Sequence, residues 1–372
     1  MVDRPIVIAG GGIAGLAAGL CPWQGNVQIL EQAQVLNETG AALQLGPNAA
    51  RALQKLGAWH AVAPHTSSPP EIHLRDGLSG GLLKRLKLGK NFTNRFGNDY
   101  RVCLRADLHQ ALFDVAMHKP NLSIILNRKI VGVKQSAQST LVTLQSGETI
   151  KTSALIAADG VNSNLRQQLF ANAEARSIGH DHYRALLANM PTHTGLALDC
   201  INLWLFPHGH VVHYPAGRDQ KLNLVFITPT GKTPAQHYAT ACDSLRLLVE
   251  KAGPTSLWPG LYVQPLPHWN IGNTLLIGDA AHATLPYLAQ GAAMALEDAA
   301  ALSQCLYNDS VPNAFQKLSE RRQSRTFKLH HKTITAGKNY HASGITRSVG
   351  HAALRYMPEQ LLWQSLRWLY QG

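Results

Sequence analysis

Pro5-Ile6-Val7-Ile8-Ala9-Gly10-Gly11-Gly12-Ile13-Ala14-Gly15 is the stretch that decides how the rest of the chain is read. Ile6 to Ala9 is an unbroken apolar run rich in β-branched residues, the pattern of a strand buried on both faces of a parallel sheet. It runs straight into glycines at 10, 12 and 15, the GxGxxG spacing. The first glycine permits a tight turn, the second lets a pyrophosphate approach the backbone, and the third allows close helix-to-strand packing. Leu16-Ala17-Ala18-Gly19-Leu20 continues as a small-residue helix, whose free N–H groups and positive dipole end suit phosphate. Pro22 stops that helix early, near Cys21. Val27-Gln28-Ile29-Leu30-Glu31 is a second strand ending in an acid, 21 residues after Gly10. An acid there accepts hydrogen bonds from a ribose hydroxyl. A glycine triplet alone marks only a tight turn, but strand, turn, helix, strand and acid in that order mark a nucleotide site.

Two later stretches repeat the pattern of a buried strand closed by an aspartate and a glycine. Ala154-Leu155-Ile156-Ala157-Ala158 ends in Asp159-Gly160, and Asn273-Thr274-Leu275-Leu276-Ile277 ends in Gly278-Asp279-Ala280-Ala281-His282. Such turns bring backbone close to a ligand while the aspartate caps or accepts. Beyond Pro286 comes Gln290-Gly291-Ala292, opening a long helix of small residues whose exposed N–H groups suit a negatively polarised ring atom.

With these motifs in this order, the sequence resembles the single-component FAD-dependent aromatic hydroxylases, the flavoprotein monooxygenases that include the salicylate and hydroxybenzoate hydroxylases. Three further pieces carry the resemblance: Gly40-Ala41-Ala42-Leu43-Gln44-Leu45-Gly46-Pro47-Asn48-Ala49, Leu104-Arg105-Ala106-Asp107-Leu108, and the terminal Arg367-Trp368-Leu369-Tyr370. The resemblance implies an α/β fold. A Rossmann-like FAD-binding domain of the glutathione-reductase type would carry an inserted β-sheet substrate domain and a helical C-terminal region, as in para-hydroxybenzoate hydroxylase-like proteins. The FAD domain would be discontinuous, from 1–75, 101–171 and 266–310. The substrate domain would comprise 76–100 and 172–265, and residues 311–372 would form the helical region.

The same resemblance places the cofactor. Gly10, Gly12, Ala14 and Gly15 would cradle the pyrophosphate, and Glu31 with Gln32 would hold the adenosine end. Arg105 would contact the ribityl–pyrophosphate region, Gly278 and Asp279 the ribityl chain, and Gly291 and Ala292 the isoalloxazine. Asp159 and Gly160 would touch the cofactor and bear on reduced-nicotinamide binding. FAD would be the cofactor and NAD(P)H a co-substrate, with dioxygen and a small phenolic or heteroaromatic acid as the other reactants.

Between Ala171 and Pro265 the texture changes to short alternating strands. Ile201–Phe206 and His210–Pro215 flank a turn at Pro207-His208-Gly209, and Leu222–Ile227 follows. Alternation puts His210, Val212 and Tyr214 on one face and Val211 and His213 on the other. A ring hydroxyl reacts faster once deprotonated, and histidine titrates in the range that serves this. By resemblance, His210 and Tyr214 are the pair that faces substrate, with Gln290 contacting substrate or ring. His213 is the competing base if the register slips by one residue. His282 reads as structural or flavin-side.

Composition narrows the alternatives. Lys and Arg exceed Asp and Glu by 34 − 22 = 12, a balance that favours anionic partners. Arg321, Arg322, Arg325, Lys328 and Lys332 read as a solvated helix face, and no aromatic-interleaved stripe points to nucleic acid. The five cysteines form no CxxC pair, which predicts reduced thiols and no metal site. No apolar run is long enough to span a membrane, so a cytoplasmic monomer or homodimer is expected. Three rival readings remain: the same FAD site oxidising or epoxidising a non-aromatic, polyketide or quinone-precursor substrate; a flavin redox sensor without turnover; and an NAD-dependent dehydrogenase. The last has no use for the Gly278-Asp279 turn and the Gly291 helix.

Overall fold

The computed structural model describes residues 4–36, 42–136, 139–171, 173–188, 195–217 and 221–371. Gly40 and Ala41, the head of one resemblance motif, lie outside the described residues. Ile6–Ala9 forms the expected central strand, buried along its length. It pairs in parallel with Val27–Leu30 on one side and Ala154–Ala157 on the other. Leu122–Ile125 and Thr274–Leu276 extend the two flanks, also in parallel, and Asn270–Ile271 closes one edge antiparallel. Helices Ile13–Gly19, Arg105–Met117 and Gly291–Leu306 share one hydrophobic core with this sheet. The first helix ends at Gly19, two residues short of Cys21-Pro22. Small residues let it lie close: a Cβ on Gly19 would press against the side chains of Leu122 and Ile29.

A second sheet of seven strands runs in the order Ser256–Val263, Ala175–Leu187, Lys221–Pro229, Gly209–Ala216, Ile201–Phe206, Glu71–Asp76, Leu82–Lys87. All its pairings are antiparallel except that between Glu71–Asp76 and Ile201–Phe206. The excursion expected at 76–100 therefore begins earlier, because Glu71–Asp76 is already a strand of this sheet. Asp76-Gly77, the landmark legible in the sequence, is the hairpin turn inside the excursion and not its start. The ribbon of Ala42–Leu45 with Arg101–Leu104 joins the two sheets, and the Ala42 N–H donates to Asn223 Oδ1 at 3.2 Å.

Ile130–Ser136, Ser139–Leu144 and Thr149–Thr152 form a three-stranded antiparallel meander between two strands of the parallel sheet. From Val311 the chain is helical: Val311–Tyr340, Gly344–Tyr356, Glu359–Ser365 and Arg367–Gln371. The basic cluster on the first of these is only partly a solvated face. Arg321, Lys328 and Lys332 are exposed, but Arg322 is buried and paired with Glu297 at 2.5 Å and Asp298 at 2.8 Å. Arg325 pairs with Glu297 at 2.6 Å. The cysteines are free thiols. Among the described residues no helix is long and apolar enough to cross a membrane.

Candidate active site

Three glycine-bearing loops issue from the carboxyl ends of three adjacent parallel strands, where ligands bind in open α/β sheets. The central one turns at Gly10 with φ +105°. A Cβ there would meet the Ala158 carbonyl oxygen at 2.5 Å, so the first turn lies directly against the Asp159-Gly160 turn. Gly15 packs so tightly on Gly10 that a Cβ would fall well inside the carbonyl oxygen of that residue. Gly12 faces open space, with nothing within 4 Å of a Cβ, and caps the helix without a side chain of its own. Backbone N–H groups thus face a vacant approach, as a pyrophosphate requires. Gly15→Ala should therefore lower flavin retention, because its misfit exceeds the about 1–3 kcal/mol of ordinary overpacking. Flavin absorbance per mole of purified protein checks this.

Glu31 closes the adenosine side. Its carboxylate accepts from the Gly11 N–H at 2.7 Å and the Ala33 N–H at 2.9 Å, which fixes it beside the loop. Gln32 follows it, exposed at the strand end. Arg105 begins its helix, and one turn on, His109 Nε2 lies 2.7 Å from the Gly11 carbonyl. That contact sets the Arg105 end of the helix against the glycine loop. Asp159 Oδ2 accepts from the Leu165 N–H at 3.2 Å, while Oδ1 is buried without a partner. Burial raises its pKa. An orphaned carboxylate oxygen in this loop fits a hydroxyl donor of a bound dinucleotide.

The Gly278 turn completes the trough. A Cβ on Gly278 would meet the Ala14 Cβ at 2.9 Å, which places Asp279 beside the first helix. Asp279 is exposed to the trough, whereas Asp298 beneath it is fully buried. Asp298 Oδ2 accepts from the Gly278 N–H at 3.0 Å and lies 2.6 Å from His282 Nε2, while Oδ1 accepts from Arg322 Nε at 2.8 Å. His282 is thus a structural partner of the turn. Burial alone would raise the pKa of Asp298, but His282 and Arg322 hold it below the ordinary value. Gly291 and Ala292 start the next helix half-exposed, with space open over Gly291. Gln290 is buried, and its side-chain carbonyl accepts from Asn48 Nδ2 at 2.8 Å. Asn48 Nδ2 also donates to Glu297 Oε1 at 2.7 Å.

The second sheet lies over this trough as a roof. His210, Val212 and Tyr214 share the face toward it, packing with Leu203, Met294 and the ring of Tyr287. His210 is buried 5.1 Å from the Tyr287 ring, three residues before Gln290. Its pKa is well below the usual value, first because it is buried and then because His341, His182 and His180 surround it. Tyr214 is buried among Tyr100, Met294 and Tyr370, and burial pushes its hydroxyl pKa up. His213 points to the opposite face near Trp204, at 6.2 Å between rings, and neither of its ring nitrogens has a partner.

Sequence reasoning missed Arg184 entirely. It stands on Ala175–Leu187 opposite Val225, on the same roof face as His210. Its guanidinium stacks over the Trp258 ring at 5.0 Å, and its Nε is buried without a partner. Burial lowers its pKa, and the neighbours acting on its charge are Tyr214, Arg105 and Asp279. Arg184 thus lies within electrostatic range of the roof face, the Arg105 helix and the Gly278 turn. No signal marked it beforehand, since Tyr183-Arg184-Ala185 is an ordinary strand sequence.

Among the described residues one set of donors has metal-like proximity: Glu71, His73 and Cys200, within 4.8 Å of one another. Glu71 and His73 are already hydrogen-bonded to each other at 2.6 Å.

Residues 3–309 match the family model described as FAD binding domain. The chain is 33% identical to a 3-hydroxybenzoate 6-hydroxylase of Polaromonas naphthalenivorans (strain CJ2), over 99% of this chain and 96% of that one. In structure it is similar to Klebsiella pneumoniae HpxO complexed with FAD and uric acid, with a TM-score of 0.87, 20% identity, and coverage of 99% of this chain and 97% of that one. A salicylate hydroxylase substrate complex matches with a TM-score of 0.80 and 23% identity, covering 100% of this chain and 96% of the other.

Proposed function

This chain belongs to the FAD binding domain family of flavoprotein monooxygenases, with FAD as cofactor and NAD(P)H as co-substrate, and on that footing we propose that it hydroxylates a small aromatic ring bearing both a hydroxyl and a carboxylate. Bound FAD supplies the redox chemistry between NAD(P)H, dioxygen and the ring. Gly10, Gly12, Ala14 and Gly15 would hold its pyrophosphate, Glu31 its adenosine ribose, and Arg105, Asp159, Asp279 and Gly291 the remainder.

The protein's own contributions are proton handling, charge pairing and exclusion of water. The observation that carries the reading is the roof face, where His210 and Tyr214 share one side of a strand with Arg184 nearby. His210 is neutral at pH 7 because its pKa is lowered, so it is free to accept the proton of a ring hydroxyl. Tyr214, protonated at any working pH, donates a hydrogen bond to the same substrate. Arg184 makes no ion pair with a carboxylate among the described residues, and its half-buried guanidinium, with a buried Nε that has no partner, suits an anionic group on the ligand. The hydroxybenzoate of the named relative carries that combination of groups.

The test is NAD(P)H consumption by the purified yellow protein, with a panel of hydroxybenzoates, hydroxypyridine acids and uncharged phenols. Stimulated consumption with a hydroxylated product is the expected result for a phenolic acid. Flavin without stimulation by any member of the panel overturns the reading. Arg184→Met should raise KM for a carboxylated substrate about 10- to 100-fold, the worth of about 1.5–3 kcal/mol for a charged hydrogen bond. KM for the matching uncharged phenol should stay near that of the wild type. Equal effects on both ligands would remove Arg184 from carboxylate recognition.

A further inference from the structure

We propose that His341, at the end of the long C-terminal helix, carries the substrate's proton from His210 to solvent, forming a two-histidine relay. The inference rests on the reading of His210 as the group that faces the ring hydroxyl. His210 is 2% exposed, so a proton it receives has no direct way out. His210 Nδ1 lies 2.8 Å from His341 Nε2, and the two ring planes are 27° apart with centroids separated by 5.0 Å. His341 is only half-buried and caps the Val311–Tyr340 helix, so it touches both the buried base and the surface. Its backbone is pinned as well: the His341 N–H donates to the Gly337 carbonyl, and the His341 carbonyl accepts from the His208 N–H at 2.9 Å.

The proton count of a single outward transfer closes without any further group and leaves both rings in the other neutral tautomer. The ring hydroxyl gives its proton to His210 Nε2, His210 Nδ1–H passes its own to His341 Nε2, and His341 Nδ1–H releases one to water. Each imidazole gains a proton at one nitrogen and loses one at the other, and only a ring with two titratable nitrogens does this. Both rings rest neutral. Burial holds His341 down to about 3, with His180, His237, His208 and His182 adding to the effect.

Each element packed on the pair contributes a titratable group. These are His180 and His182 from Ala175–Leu187, His208 from the roof hairpin, and His237 from Pro234–His237. Tyr287 and Tyr340 stand at ring distances of 5.1 and 5.3 Å from His210, and the Tyr238 hydroxyl donates to the His210 carbonyl at 2.9 Å. Among the described residues no carboxylate acts on His210 or His341 themselves; Asp181, on the same strand as His180, acts on His180. Burial therefore disfavours a proton retained on either ring, and half-buried His341 is where it meets solvent.

His341→Gln keeps a hydrogen-bonding side chain beside His210 but cannot pass a proton through. It should slow single-turnover hydroxylation about tenfold or more, with FAD content and substrate KM unchanged. His341→Ala should show the same loss, and added imidazole should restore most of it, since the site opens to solvent. The loss should shrink as pH rises, because solvent base then takes over the outward step. Wild-type rates in both variants would overturn the relay. So would a loss that imidazole does not rescue and that runs parallel to the wild-type pH profile, because that is the signature of packing. His210→Gln run alongside separates the two claims. If it is slow while the His341 variants are normal, only the relay falls. If it is normal, the reading of His210 falls and takes the relay with it.

Discussion

His210→Ala should slow hydroxylation about 10²- to 10⁴-fold, the usual contribution of a positioned general base. FAD should stay bound, because His210 stands on the roof strand Gly209–Ala216 and on none of the loops at the strand ends. NAD(P)H oxidation should continue while its electrons leave as hydrogen peroxide, since the oxidant then waits for a ring that is still protonated. Product formed per NAD(P)H consumed is the measurement, taken with peroxide. Unchanged coupling and rate would remove His210 from the chemistry. His213→Ala is the matched comparison: its ring lies on the opposite face near Trp204, so coupling should be unaffected.

Arg322→Met should cost the fold about 3–5 kcal/mol at neutral pH, the loss seen when one partner of a buried ion pair is removed. Arg322 is buried with three acceptors: Glu297 Oε2 at 2.5 Å, Asp298 Oδ1 at 2.8 Å and Met294 Sδ at 3.4 Å. Without it, Asp298 keeps only His282 and the Gly278 N–H, and the turn bearing Asp279 loosens with it. The sign of the pH dependence is fixed. Burial alone would raise the pKa values of Glu297 and Asp298, but Arg322, with Arg325 and His282, holds both below their unfolded values. Their stabilisation is complete above the unfolded carboxylate range of about 4 and is lost as pH falls through the lowered folded values. The wild-type advantage over Arg322→Met should therefore narrow on acidification, as the stranded carboxylates of the variant become neutral. Denaturant midpoints at neutral and acid pH measure this. A variant equally stable at pH 7 would show that the network has no structural role.

The nucleotide half of the molecule is legible in the sequence because backbone geometry dictates residue type there. Gly10 sits at positive φ against a neighbouring turn, and Gly15 leaves no room for a Cβ. The strands Ile6–Ala9 and Ala154–Ala157 are buried on both faces, so their composition announces them. The roof strands are legible by alternation, which fixes His210 and Tyr214 on one face. Residues whose meaning depends on a distant partner are not legible. Arg322 looks like one more basic residue on a solvated helix until Asp298, 24 positions earlier, is seen beneath it. His341 meets His210 across 131 positions, and no local pattern encodes that pairing. Arg184 sits in an unremarkable strand and acquires significance only on the folded roof face, within electrostatic range of Tyr214, Arg105 and Asp279. The terminal Arg367-Trp368-Leu369-Tyr370 is recognisable as a signature, but the structure supplies its reason. Arg325 reaches the carbonyls of Trp368 and Leu369 at 2.7 and 2.8 Å, and the Tyr370 ring packs on Phe96 and Tyr100.

A crystal grown from FAD-loaded protein with a bound hydroxybenzoate tests the whole arrangement in one measurement. The account requires a single dinucleotide lying from Glu31 past Gly12 and Arg105 to Asp279 and Gly291, with the aromatic ring beneath His210 and its carboxylate toward Arg184. Density that places flavin or ligand elsewhere, or leaves Gly12 and Asp279 on separate cavities, would contradict it.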